Sequence, residues 1–112
     1  MKGTVFIPPF SGAHRWFVIS NNIGGEVLTV NITDAKHEDS TCILQPGDHV
    51  CVEKLSAVVY RRAKSWLVQE LERNLGACTV YEELAGEALL QRMRTGAVKS
   101  EDLAKKFLKF VV

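Results

Sequence analysis

The chain has 112 residues, 46% of them hydrophobic and 24% charged, with a formal net charge of +1. That length suits one domain, 1–112, with room for a real core but not for two ordinary domains. No apolar run approaches the roughly 20 residues of a membrane span, so no membrane partner is expected, while the near-neutral total decides nothing about nucleic acid, because a basic face can coexist with it.

The opening "MKGTVFIPPF" holds too short an apolar stretch, broken by Pro8 and Pro9, to read as a signal peptide. Three cysteines, an odd number without metal-type spacing, read as reduced thiols of a cytoplasmic protein. Residues 4–7 form a short strand stopped by the two prolines, and 11–13 is loop chemistry. "RWFVIS" (15–20) is aromatic and β-branched almost throughout, as expected of a strand buried on both faces. "NNIGG" (21–25) is turn material, and "EVLTVNI" (26–32) alternates like a strand with one face more apolar. A polar loop at 33–40 follows, in which His37 reads as a solvated side chain. Short strands are then expected at 41–44, 49–53 and 56–61, separated by tight turns such as "QPGD".

Past residue 61 the period changes. Ala63, Leu67, Leu71 and Leu75 recur every four residues and predict a helix stopped by Gly76. Thr79 and Glu82 offer a capping box to a second helix with the stripe Leu84, Ala85, Ala88, Leu89 and Met93, closed by Gly96. Ser100 is placed to cap a last helix bearing Leu103 and Phe107. The expected fold is α+β: a small barrel of about six strands over residues 1–64, which removes exposed edges, and a helical C-terminal decoration over 65–112.

Two polar knots sit at strand ends. His14 and Arg15 open the strand 15–20, and Thr33 and Asp34 close the strand 26–32. If the "NNIGG" hairpin makes these strands antiparallel neighbours, the start of one lies beside the end of the next. An imidazole, a guanidinium and a hydroxyl then meet at one rim, a set suited to phosphate chemistry. The guanidinium holds and neutralises phosphate oxygens, and the imidazole moves a proton near neutral pH. The plainer reading is a surface charge and a turn cap. A second knot, Asp48 and His49, either contributes to substrate binding or only fixes its turn. Tyr60 and Arg61, in the basic cluster "YRRAK", could grip single-stranded RNA by stacking and phosphate contact, or belong to the core and its surface. Neither a phosphate-cradling glycine loop, a zinc-ligand pairing nor a nucleophile elbow is present, so no cofactor or metal is expected.

The order "GTVFIPP", "HRWFVIS", "EVLTVNITD", "SAVVY", over about residues 3–60, resembles the PemK/MazF-like toxins of bacterial toxin–antitoxin pairs, and more closely a divergent PemK-like branch. In that family an Arg opens the second strand and a Thr or Ser ends the third. "RWFVIS" and "VNITD" stand in those places, so the resemblance carries the catalytic roles to Arg15 and Thr33. It implies an SH3-like β-barrel, a homodimer, a cognate antitoxin protein as partner, and metal-independent cleavage of RNA by attack of the ribose 2′-hydroxyl. His14 is a candidate proton carrier from the residues themselves; the family motif does not supply it. The chain departs from the pattern at Trp16, where Pro is common, in a shortened loop before it, and in its helical tail. Two alternatives stay open: a non-catalytic SH3-like barrel that binds RNA or a protein segment, and an unrelated domain whose polar knots only terminate strands.

Overall fold

The structure, a computed structural model, describes residues 1–10, 13–37 and 40–112, without the side chain of His37. The loop readings at 11–12 and 38–39, and the solvated reading of His37, therefore lie outside the described residues. Six strands form one antiparallel sheet: β1 (Val5–Ile7), β2 (Arg15–Val18), β3 (Glu26–Asp34), β4 (Ile43–Leu44), β5 (Ser56–Leu67) and β6 (Thr79–Val80). Two α-helices follow, α1 (Val68–Leu75) and α2 (Glu87–Lys99), with short 3₁₀ helices at Ala35–His37 and Lys105–Phe110. The strand order β4-β5-β3-β2-β1-β6 curls into a half-barrel, so the fold is α+β. No described helix is long and apolar enough to cross a membrane.

The β2–β3 hairpin is fixed by its turn. Gly24 and Gly25 both have positive φ, at 61° and 87°, the condition for a type I′ turn, which side chains with a Cβ resist. Ile23 and Glu26 exchange both backbone hydrogen bonds across it, and Asn22 Oδ1 accepts from the Gly25 N–H at 2.7 Å. The resulting register pairs Arg15 with Ile32, Trp16 with Asn31, Phe17 with Val30 and Val18 with Thr29.

Strand alternation sends neighbouring residues to opposite faces. One face (Val5, Phe17, Leu28, Val30, Val58, Tyr60) packs against Leu89, Leu90 and Met93 of α2 and against Phe107 and Phe110. The other carries Phe6, Val18 and Val27 against Leu71 of α1, with Trp16 and Trp66 beside them. Both faces are thus covered where β2 and β3 meet, which explains the almost unbroken apolar run at 15–20.

Several expected elements differ, each for a visible reason. "HVCVE" is no strand: the His49 ring accepts the Cys51 N–H at 3.0 Å, Asp48 accepts the Gln45 N–H at 2.9 Å, and Val52 N–H returns to His49 O, so turns consume the groups a ladder needs. The sixth strand is instead Thr79–Val80, paired with β1. Thr79 is therefore not a helix cap. Tyr81 N–H and Ala85 N–H bond to Val5 O and Gly3 O, and α2 starts only at Glu87. The four-residue leucine period begins too early, because Ala63 and Leu67 lie in β5, whose ladder with β3 runs on to Leu67. That ladder slips: Val59 pairs with Asn31 and Lys64 with Thr29, which leaves Tyr60, Arg61, Arg62 and Ala63 opposite Val30. Gly96 does not close α2 but lies buried within it, and Ser100 is the C-cap of α2 rather than the start of a helix.

Candidate functional site

At the start of β2 and the end of β3 lies a cleft of about 250 Å³. His14, Arg15, Thr33 and Asp34, the residues of both strand-end knots, line it together. The register explains why: Arg15 opposite Ile32 puts residue 14 beside residue 33. Glu53, Lys54 and Ser56, at the approach to β5, supply the opposing wall, with Cys51 at its side.

Arg15 is one-third exposed, and its Nη2 donates to Glu53 Oε1 at 3.3 Å. Its Nε is buried and has no partner among the described residues. Glu53 is 77% exposed, and a pair so open to water contributes only about 0–1 kcal/mol, so an anion of better geometry can displace it. Asp34 is already committed. Its Oδ1 accepts the Lys36 N–H at 3.0 Å and its Oδ2 faces Lys54 Nζ at 3.2 Å. Those contacts, the Lys36 N–H foremost, hold its carboxyl below the ordinary value. Asp34 thus serves the cleft by holding Lys54, not by meeting an anion itself. Burial pushes the Cys51 thiol up to about 11, so at neutral pH it is no nucleophile. The cleft therefore combines two cations, the hydroxyls of Thr33 and Ser56 and an imidazole with two carboxylates that balance the charge.

The other sequence candidates stand elsewhere. His49 is 2% exposed, and with Nδ1 accepting the Cys51 N–H its Nε2 donates to Glu83 O at 2.7 Å. The ring is wedged edge-on between Phe17 and Tyr81 and serves the core. Asp48 pairs with both terminal nitrogens of Arg92, at 3.1 and 3.4 Å, fastening the turn to α2. Tyr60 is buried and donates to Met93 O at 2.7 Å. Arg61 is exposed in the slipped stretch of β5 and does not line the cleft.

Sequence reasoning missed Lys54 and Glu53. Their only signal is the charge pair placed just before strand 56–61, and its meaning depends on Asp34 pairing with Ser56, a long-range fact. Comparison with protein families, with curated proteins and with solved structures finds no match for this chain.

Proposed function

We propose that this chain is a metal-independent endoribonuclease, a cytoplasmic toxin with an SH3-like barrel, that cleaves single-stranded RNA in the cleft of Arg15. What carries the reading is one observation: Arg15, with a buried Nε that has no partner among the described residues and with a displaceable carboxylate, shares a cleft with Thr33 and His14. A phosphodiester seated there receives N–H donors from Arg15 and charge from Lys54, both of which stabilise the oxyanions of a phosphorane. His14 accepts the proton of the ribose 2′-hydroxyl. The 2′-oxygen forms its bond to phosphorus as the bond to the 5′-oxygen breaks. The products are a 2′,3′-cyclic phosphate and a 5′-hydroxyl, the leaving oxygen taking up a proton from the imidazolium or from water. Thr33 positions the phosphate through its hydroxyl. The resemblance to PemK/MazF-like toxins adds a homodimer and a neutralising antitoxin to this reading.

The test is incubation of the purified protein with single-stranded RNA in excess EDTA. Cleavage leaving cyclic phosphate ends is expected, and Arg15→Ala is expected to reduce it by 10²-fold or more, about the loss of one oxyanion donor. Equal cleavage by Arg15→Ala at equal soluble concentration removes the mechanism. The Arg15–Glu53 pair favours a second reading, a non-catalytic barrel that binds RNA or a protein segment. In that case RNA binds, weakens with salt, and stays intact.

A further inference from the structure

The two edges of β5 are not equally used. β3 pairs with it as far as Leu67, whereas β4 pairs only with Ser56 and Ala57. Cys42 O still accepts the Val58 N–H, but along residues 64–67 no described strand flanks the outer edge. We propose that this free edge is a docking site for an acidic segment of another protein, which adds to the sheet as one more strand. The proposal does not depend on the phosphodiester reading of the Arg15 cleft.

The ladder shows which backbone groups are on offer. Val68 N–H bonds to Gly25 O at 2.9 Å, and the Thr29 hydroxyl donates to Lys64 O at 2.9 Å. Residues of an antiparallel strand alternate in the side to which they turn their N–H and C=O. Lys64, Trp66 and Val68 thus face β3, while Ser65 and Leu67 face away from it. No described residue bonds to those outward groups, and Leu67 is 50% exposed. Strand addition satisfies such an edge with main-chain bonds, and side-chain contacts then choose the strand. A pairing of two residues is enough to hold a strand in this sheet, as β6 does on β1.

Charge selects the occupant. On one face of the edge, Lys64 stands over the Trp66 ring with its Nζ 3.7 Å from the ring centre. On the other face, Ser65 shares a cleft of about 230 Å³ with the exposed Lys106 and Lys109. Glu26 is the one carboxylate lining that cleft. A strand laid along the edge sends alternate side chains to the two faces, so its carboxylates meet a cation on either side. A second copy of β5 would set its own lysines against these, which like charges oppose. A nucleic acid strand would use the cations and leave the backbone groups unmet.

The experiment uses a fluorescein-labelled peptide of about eight residues that alternates glutamate with threonine. Saturable binding that weakens with salt is expected, with about tenfold slower exchange of the Ser65 and Leu67 amide hydrogens. Leu67→Pro removes one outward donor. Leu67 has φ −61° and ψ 131°, which proline adopts after a strand residue, so the thermal midpoint should hold while binding falls about tenfold. A fully N-methylated peptide keeps the charge and loses the ladder, and its binding should fall about tenfold or more even if the proline variant fails to fold. Lys64→Glu and Lys106→Glu should each weaken binding, and a lysine-for-glutamate peptide should not bind. Undiminished binding of the N-methylated peptide, or unprotected Ser65 and Leu67 amides at saturation, overturns the proposal. So does tighter binding of a uridine hexamer than of the peptide, which makes the surface a nucleic acid face. Concentration-dependent protection of the two amides in the protein alone overturns it too, by making the edge a contact between copies. The Arg15 cleft lies at the other end of β3, where Thr33 and Asp34 pair with Ala57 and Ser56. Saturating peptide should therefore leave RNA cleavage unchanged, and a chain that cleaves no RNA loses the nuclease reading while the edge stands on its own test.

Discussion

Arg15 Nε and the amide of Asn31 are buried without partners among the described residues, although each would be hydrogen-bonded in water. A buried polar group left in that condition typically costs about 1–3 kcal/mol. Replacing Asn31 by the similarly shaped Leu should therefore raise the stability of the free protein by about 1–3 kcal/mol, seen as a higher urea midpoint. A lower midpoint would mean that the amide is satisfied in solution. Cys51 lends itself to a simpler check. With its thiol held up at about 11 by burial, native protein at neutral pH should resist iodoacetamide at this position and accept it in urea, as peptide mapping would show. At this scale the sequence made His14, Arg15 and Thr33 legible, because two glycines after two asparagines announce a hairpin whose strand ends must meet. It could not reveal Asn31 as buried, since a polar residue at an alternating position looks like an exposed one. Nor could it reveal that His49 is consumed by the Cys51 N–H and Glu83 O.

At the scale of elements, α2 and β5 are locked by one close approach. A methyl group at Gly96 would overlap the Tyr60 hydroxyl and come within 2.9 Å of Cys42 Cβ. Gly96→Ala improves helix propensity by about 1 kcal/mol, but overpacking a full core costs about 1–3 kcal/mol. The substitution should thus lower stability despite its helical benefit, and a differential scanning trace with an unchanged or higher midpoint would contradict the packing. A glycine near the end of a periodic stripe reads as a stop signal, and only the partner across the interface shows it to be a spacer. The early helix at 63–75 fails for a related reason. Its leucine period is real, but Ala63 and Leu67 lie in β5, which pairs with β3 up to Leu67, and tertiary pairing outweighs a local period. β6 has no strong signal at all, being two exposed residues recruited by β1.

Across the whole molecule the resolved carboxylate shifts agree in sign. Desolvation alone would raise the Asp48 carboxyl, but the Gln45 N–H and Arg92 outweigh it and leave it lowered. Asp34 and Glu87 are lowered by the Lys36 N–H and by Arg94 respectively. A carboxyl whose folded value is depressed contributes stability above its unfolded value, and that contribution is lost as acid protonates the native state. Thermal midpoints should therefore fall as pH drops below about 4, and Asp48→Asn should lower the midpoint at pH 7 while flattening the acid decline. An equally steep decline in Asp48→Asn would assign the acid sensitivity to other groups.

The pairing of β3 with β5 has a kinetic consequence. These neighbours are separated in sequence by a 3₁₀ turn, β4 and the His49 turn, so the sheet centre cannot form by local zippering. A long excursion must close first, and its entropy is spent before any of the ladder's bonds are made. The β2–β3 hairpin, whose turn is preset, can wait only as a fluctuating seed, and the rate of reaching the native state is governed by how often Ser56–Leu67 returns to it.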